Sequence, residues 1–404
     1  MSGWQFIQNP GPTNMPDEVL AALGRRAVDF GAAPFTELVA GCLADLGRVF
    51  DVAEGGEVFV HTASGHGGWE AALVNLFEPG QRVLVPDCGR FSLTWGNMAQ
   101  DLGLEVQWLA SDWRRAVSPE AVYDALAADR ARTLAGVLLI HTETSTGVTN
   151  DAPALAEAVQ ASGHPALVVL DAVASLGTTT LSSRAFDAVV AASQKGLMLA
   201  PGLALVAAGP RAVERAETIR SRRSYWAWPE RNEADIYRQF CGTPPVQLVF
   251  ALRAGLDLLL AEGLEQVIAR HHRLADGVRA AVAHWCGPHD GRGGGLDFYA
   301  TNPQERADAV TCVRLAQGHD PREVRRRLRE EWNVTVGGGL DRLAEDTFRI
   351  GHLGSLNETM VLGVLAAVEG VLSQCQIPHA AGGVNAALSH FVQTSTSPLS
   401  GVSS

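Results

Sequence analysis

Seven short apolar runs set the first constraint on this chain. They occupy residues 56–63, 82–88, 104–110, 135–143, 166–173, 187–193 and 203–209. Several are nearly continuous in valine, leucine, isoleucine and alanine, without the alternation of a half-exposed strand. A run of that kind is a strand covered on both faces, which calls for helices on either side of a parallel or mixed sheet. The stretches GGWEAALVNLF, PEAVYDALAADR and DAPALAEAVQASG, which separate the earlier runs, have the helical period that supplies such cover. The alternation predicts a doubly wound α/β domain.

The rest of the chain organises around that domain. Pro10, Pro12 and Pro16 interrupt residues 9–16, so this stretch predicts an extended arm. Residues 16–50 read as helical with a break at 31–34. Beyond residue 245 the period is helical again for a long stretch, and residues 290–375 hold a second α/β region. A length of 404 residues accommodates two or three domains. The expected division is an arm over 1–20, a large domain over 21–260 and a smaller C-terminal domain over 261–378. Residues 379–404 are expected to be a partly disordered tail, because they are rich in serine, glycine and threonine.

Composition excludes several functions. Apolar residues make up 47% and charged residues 19%, enough for large packed cores. The 32 Lys+Arg against 44 Asp+Glu leave a net charge of −12, without the basic surface that nucleic acid requires. The six cysteines have no CxxC pair and no regular spacing, which argues against a disulfide framework or a zinc site and for reduced thiols. The opening residues have neither the basic nor the apolar region of a signal peptide, and no apolar run approaches a membrane span. A soluble, cytoplasmic globular protein is expected.

Chemistry gathers at the ends of the apolar runs, where an open parallel sheet places its functional groups. Ser64-Gly65-His66-Gly67-Gly68 follows the first run and opens a helix. Backbone N–H groups at such a start can cradle a phosphate, although a simple turn has the same composition. It is not a dinucleotide fingerprint, because Glu70 stands where the third glycine would be. His141 to Gly147 follows the fourth run and, taken singly, consists of polar turn residues bonded to their own backbone. His141-x-Glu143 lacks the PCxxC partner of a zinc deaminase. Asp171 closes a buried run, where an unpaired carboxylate is costly. Lys195 follows another, beside an apolar stretch whose desolvation would lower its pKa and make it nucleophilic. Each has an ordinary structural explanation alone: a helix cap for the aspartate, a solvated charge for the lysine. Together with a phosphate-binding helix start they supply what pyridoxal phosphate needs: an amine for the Schiff base and a carboxylate for the ring nitrogen.

These segments, with PGPTNMP at 10–16, ETSTGV, DAVASLG, SQKG, APGLA and FRIGHLGSLNE at 348–358, resemble the class V aminotransferases of fold type I. The alanine–glyoxylate and serine–glyoxylate group is the most similar, over about residues 6–375. The resemblance implies a mostly parallel seven-stranded large domain, a smaller α/β C-terminal domain and bound pyridoxal 5'-phosphate. It implies that Lys195 carries the Schiff base and the proton, that Asp171 pairs with the ring nitrogen, and that Val173 and Phe91 pack on the two ring faces. Ser64, Gly65, His66 and Gln194 would surround the phosphate, and Ser145 would reach the 3-hydroxyl region. Arg349 would clamp the substrate carboxylate, a bidentate task for which lysine is poorly shaped. Thr243 would reach a phosphate in the neighbouring subunit, which implies a homodimer with shared sites.

Two departures stand out. Relatives carry tyrosine three residues before that threonine, where this chain has Phe240, and the serine–glyoxylate and aspartate–glyoxylate relatives carry an Asp-His-Arg-Ser stretch where it has Asp29-Phe30-Gly31-Ala32. The implied activity is ping-pong transfer of an amino group from a small amino acid to glyoxylate or pyruvate. Elimination or retro-aldol cleavage on the same cofactor, and a non-catalytic sensor or scaffold, are the other readings. The segment 221–243, with Arg222, Arg223, Tyr225 and Trp226, is expected to contribute to the substrate pocket, without a role for any one of them.

Overall fold

The computed structural model describes residues 3–221, 223–231, 235–287 and 294–394. All seven apolar runs form strands of one sheet. Its order is Glu57–Ala63, Gly202–Ala208, Ala188–Ala192, Leu167–Asp171, Leu134–Ile140, Arg82–Asp87 and Glu105–Ala110. Neighbours run parallel except at Gly202–Ala208, which is antiparallel to both of its partners. The mostly parallel seven-stranded architecture expected from the sequence is therefore present. Leu167–Asp171 and Ala188–Ala192 are buried at every position, which is why their sequences show no alternation.

Glycines let one helix lie unusually close to this sheet. In Gly65–Leu76, a Cβ on Gly68 would stand 2.7 Å from Val190, and one on Gly65 would stand 3.0 Å from Val173. The glycine-rich stretch is thus a packing device as well as a turn.

The second domain is built on a five-stranded sheet in the order Phe6–Gln8, Val334–Gly338, Thr347–Gly351, Val310–Leu315, Leu296–Phe298. Its first strand comes from the N-terminal arm and runs parallel to Val334–Gly338. Three residues are too few to display a strand period, so this pairing was not readable from sequence. The helix Leu264–Cys286 belongs to both cores: Val267 packs with the large domain and Leu274 to Trp285 with the small one. Part of the stretch expected to be a tail is folded, as the helix Gly383–Thr394. Phe391 occupies the space that a side chain at Gly277 would fill, which docks that helix on Leu264–Cys286. Residues 395–404, the end of that expected tail, lie outside the described residues. Among the described residues, no helix is long and apolar enough to cross a membrane.

Candidate functional site

Five of the parallel strands end on the same edge of the large sheet, and their following loops bring the expected residues together. Ser64 is the N-cap of Gly65–Leu76, and its exposed side chain makes no capping bond. The first-turn amides of any helix lack intrahelical acceptors, so this start presents N–H donors to an anion. The exposed ring of His66 lies 4.4 Å from that of Trp69, which in turn stacks on Trp95 at 5.6 Å. Phe91, in the first turn of Arg90–Asp101, meets Trp69 edge-on at 6.4 Å.

Asp171 ends Leu167–Asp171 and is 5% exposed. Its Oδ1 accepts from the Val173 amide at 2.6 Å. Burial pushes this carboxyl up to about 7 against the opposing pull of that amide and of Lys195. No ion pair neutralises it among the described residues, so a buried carboxylate lacks a cation at contact distance.

Lys195 lies in a tight turn after Ala188–Ala192. Ser193 Oγ donates to Ala200 O at 2.7 Å, and the Met198 amide donates to Lys195 O at 2.9 Å. Gly196 passes so close to the Leu176 carbonyl that any side chain there would clash. The protein packed around Lys195 pushes its amine down to about 8, with a further contribution from Arg349 and opposition from Asp171. The residue before it, Gln194, has Oε1 buried without a partner among the described residues.

Arg349 comes from the other domain, on Thr347–Gly351, and is 7% exposed. Its Nε donates to Gly338 O at 2.7 Å and its Nη1 to Thr144 O at 2.8 Å. Burial pulls its pKa down. Both bonds fix the guanidinium without using a carboxylate, and among the described residues it joins no ion pair. The arrangement suits a carboxylate brought from outside.

Other expected residues are placed differently. Ser145 is fully buried: its hydroxyl donates to Glu143 Oε1 at 2.6 Å and accepts from the Arg90 amide at 3.1 Å. Glu143 Oε2 also accepts from the amides of Phe91 and Ser92 at 3.0 and 3.2 Å. This carboxylate, read from sequence as a turn residue, accepts from the Ser145 amide of its own turn at 3.0 Å and also caps the helix carrying Phe91. Thr243 is exposed, with no hydrogen bond to the Lys195 group within the chain. Phe240 is 4% exposed and lines an apolar cavity with Val39, Cys42 and Leu252. Trp226 packs against His61, with ring centroids 5.4 Å apart. Tyr225 presents its ring to Arg231 and its carbonyl to that guanidinium, and Arg223 Nη2 donates to Ala216 O at 2.6 Å. Arg222 lies outside the described residues.

Sequence reasoning missed one element of the site altogether. The Pro10 carbonyl accepts from Lys195 Nζ, and Thr13 Oγ1 donates to Lys195 O at 3.3 Å. The proline-rich spelling identified an arm but carried no signal of its destination. Among the described residues, no cluster of three or more His, Cys, Asp or Glu side chains could hold a metal ion.

A family model described as aminotransferase class-V matches residues 6–345. L-aspartate–glyoxylate aminotransferase of Paracoccus denitrificans is 37% identical over 388 residues, covering 95% of this chain and 96% of that protein. Serine–glyoxylate aminotransferase of Methylorubrum extorquens is 37% identical, covering 89% of each chain. Among solved structures, ureidoglycine–glyoxylate aminotransferase from Bacillus subtilis superposes with a TM-score of 0.87 at 26% identity, over 97% of this chain and 99% of that one. Pyridoxamine–pyruvate aminotransferase from Mesorhizobium loti gives 0.88 at 25% identity, over 97% and 98%.

Proposed function

Since the chain belongs to the aminotransferase class-V family, we propose that it moves the amino group of a small amino acid to a small 2-oxo acid, with glyoxylate as the preferred acceptor. Pyridoxal 5'-phosphate is the proposed cofactor. The observation that carries this reading is the convergence of three charges from two domains: half-buried Lys195 with buried Asp171 and Arg349. Glyoxylate is named because the aspartate and serine enzymes that are 37% identical to this chain carry it in their names.

The residues fit the cofactor. Asp171 is a buried carboxylate without a cation, and a protonated ring nitrogen would supply one. The helix start at Ser64, with its uncommitted side chain, suits the phosphate. Val173 and Phe91 offer apolar surfaces for the ring faces, and Gln194 and His66 polar groups near its phosphate. Bound there, the cofactor would draw electrons from the substrate's Cα.

The chain's own groups do the rest. Lys195 Nζ, held down to about 8, can take up and release a proton near neutral pH. Arg349, anchored by the carbonyls of Gly338 and Thr144, holds the substrate carboxylate and thereby orients its Cα toward that amine. Ser145 and Glu143 keep the helix of Phe91 in place.

The active form is proposed to be a homodimer in which Thr243 serves the partner's phosphate site; its exposure supports this. A reducing, cytoplasmic setting is supported by six free cysteines. The test is the visible spectrum of the purified protein with pyridoxal phosphate, before and after a panel of small amino acids, then glyoxylate. A yellow band that bleaches with a donor and returns with glyoxylate is expected. A protein that takes up no colour overturns the reading. Ammonia and keto acid released without any acceptor would identify elimination instead.

A further inference from the structure

The N-terminal arm meets Lys195 at three points. The Pro10 carbonyl accepts from Nζ, the Thr13 hydroxyl donates to the lysine's own carbonyl at 3.3 Å, and Gly11 lies alongside the side chain. Gly11 has a φ of +111°, and a Cβ there would stand 2.5 Å from Nζ and 2.6 Å from both Cδ and Cε. A methyl at residue 11 would therefore push the end of the lysine side chain out of the position it occupies here. Among the described residues, Pro10 O is the one hydrogen-bond acceptor of Nζ.

The same arm is seated on glycines around the substrate-binding arginine. A Cβ on Gly337 would stand 2.8 Å from Pro10 and 3.3 Å from the Cβ of Arg349; one on Gly354 would stand 2.8 Å from Thr13. Gly351 abuts the Asn9 carbonyl as closely. Phe6–Gln8 continues this contact as a strand of the small-domain sheet, and Asn14 Nδ2 donates back to Ile7 O at 2.9 Å. One continuous backbone segment thus touches the lysine of one domain and the arginine's sheet of the other.

We propose that this arm is a positioning element for the reacting lysine: Gly11 supplies the clearance for its side chain, and the Pro10 carbonyl holds Nζ whenever that nitrogen is not bonded to the cofactor. An amine released inside protein needs an acceptor, since a buried donor without one is costly and mobile. The carbonyl provides it, so the proton carrier stays held while substrate occupies the site. The inference rests on reading Lys195 as the residue that bonds pyridoxal phosphate.

The test uses the full-length protein loaded with pyridoxal phosphate, reduced with borohydride, digested and weighed for the label on the Lys195 peptide. Gly11→Ala is expected to retain bound cofactor yet label Lys195 at least about fivefold less than the parent protein, because the added methyl displaces the side chain. Gly3→Ala is the control: φ there is +102° with no atom within 4 Å, so it carries the same backbone strain without the neighbour. It should label normally. If Gly11→Ala labels as well as the parent, the proposal is overturned. Absence of label on Lys195 in the parent protein would defeat the reading of Lys195 itself, and the arm's role with it.

Should Gly11→Ala lose its circular dichroism signal, Thr13→Val decides. That change removes one arm–lysine bond without adding bulk. In the full-length protein before cofactor is added, it should lower by roughly half a unit the pH at which the free Lys195 amine becomes labelled by an acylating reagent, because a loosened carbonyl stabilises a protonated nitrogen less. An unchanged titration overturns the proposal.

Discussion

Two charged regions of this molecule obey opposite rules. On the small domain, the helix Pro321–Glu331 carries a ladder of exposed pairs. Glu323 bonds Arg326 and Arg327 at 2.7 and 2.8 Å, Glu330 bonds Arg326 at 2.6 Å, and Glu331 bonds Arg327 at 3.3 Å. In the cleft, Asp171 and Arg349 are buried and Lys195 half-buried, and none forms an ion pair among the described residues. The helix satisfies its charges locally and needs nothing further. The cleft leaves its charges uncompensated, which is tolerable only where a ligand completes them.

The largest separation between the two regions is expected on replacing the amine. Lys195→Ala should lower turnover by at least about ten-thousandfold while leaving the fold intact, because it removes the group that carries the proton rather than a packing contact. Single-turnover kinetics with circular dichroism checks this. Turnover within tenfold of the parent would place the chemistry elsewhere.

Asp171 comes next, and it gives the comparison a pH axis. In cofactor-free protein its folded pKa, raised by burial from 3.8 to about 7, means the native state binds a proton that the unfolded chain has already lost. Stability should therefore fall as pH rises from about 4 to 7 and level off above that. Asp171→Asn should flatten this slope, and added pyridoxal phosphate should cancel it in the parent protein by supplying a positive ring nitrogen. Melting temperature against pH, with and without the cofactor, gives the answer. The same substitution should reduce turnover roughly a hundredfold, since a neutral amide cannot hold the ring nitrogen protonated.

Much of this was legible before the fold was seen. The seven buried strands declared themselves because burial on both faces removes polar residues, and strand ends are where α/β sheets place chemistry. Asp171 and Lys195 were readable for that reason. The arm's seat was not, because it depends on backbone atoms: a carbonyl at Pro10 and the absence of a side chain at Gly11 have no chemical signature in a sequence. Glu143 was legible as a turn residue but not as a cap, because the amides it caps lie on a helix some fifty residues earlier in the chain, and local patterning cannot report a contact across a sheet edge. The helix Gly383–Thr394 was masked by its serine- and glycine-rich surroundings, although Phe391 is what anchors it.

Arg349→Lys should give an intermediate effect. A lysine can supply a charge but cannot reach the Gly338 and Thr144 carbonyls and a substrate carboxylate at once with a planar fork. A fall of roughly 10- to 100-fold in kcat/KM is expected, with the bound cofactor's spectrum unchanged. A spectrum that shifts would mean that the arginine acts on the cofactor and not on the substrate.

The smallest effect is expected on the exposed ladder, and it is the control for the whole comparison. Arg326 and Arg327 hold Glu323 down to about 2, a large shift that would mark a functional group if displacement alone were the criterion. Its causes are partly exposed hydrogen bonds to Arg326 and Arg327, though, which water can replace. Glu323→Gln should therefore move the melting temperature by no more than about 2 °C, and less in high salt, because exposed pairs are worth little and are screened. Turnover should be unchanged. A loss of activity in Glu323→Gln would mean that the small domain's outer helix is coupled to Arg349 through Val334–Gly338, the strand it packs on, and that the two regions are one electrostatic unit.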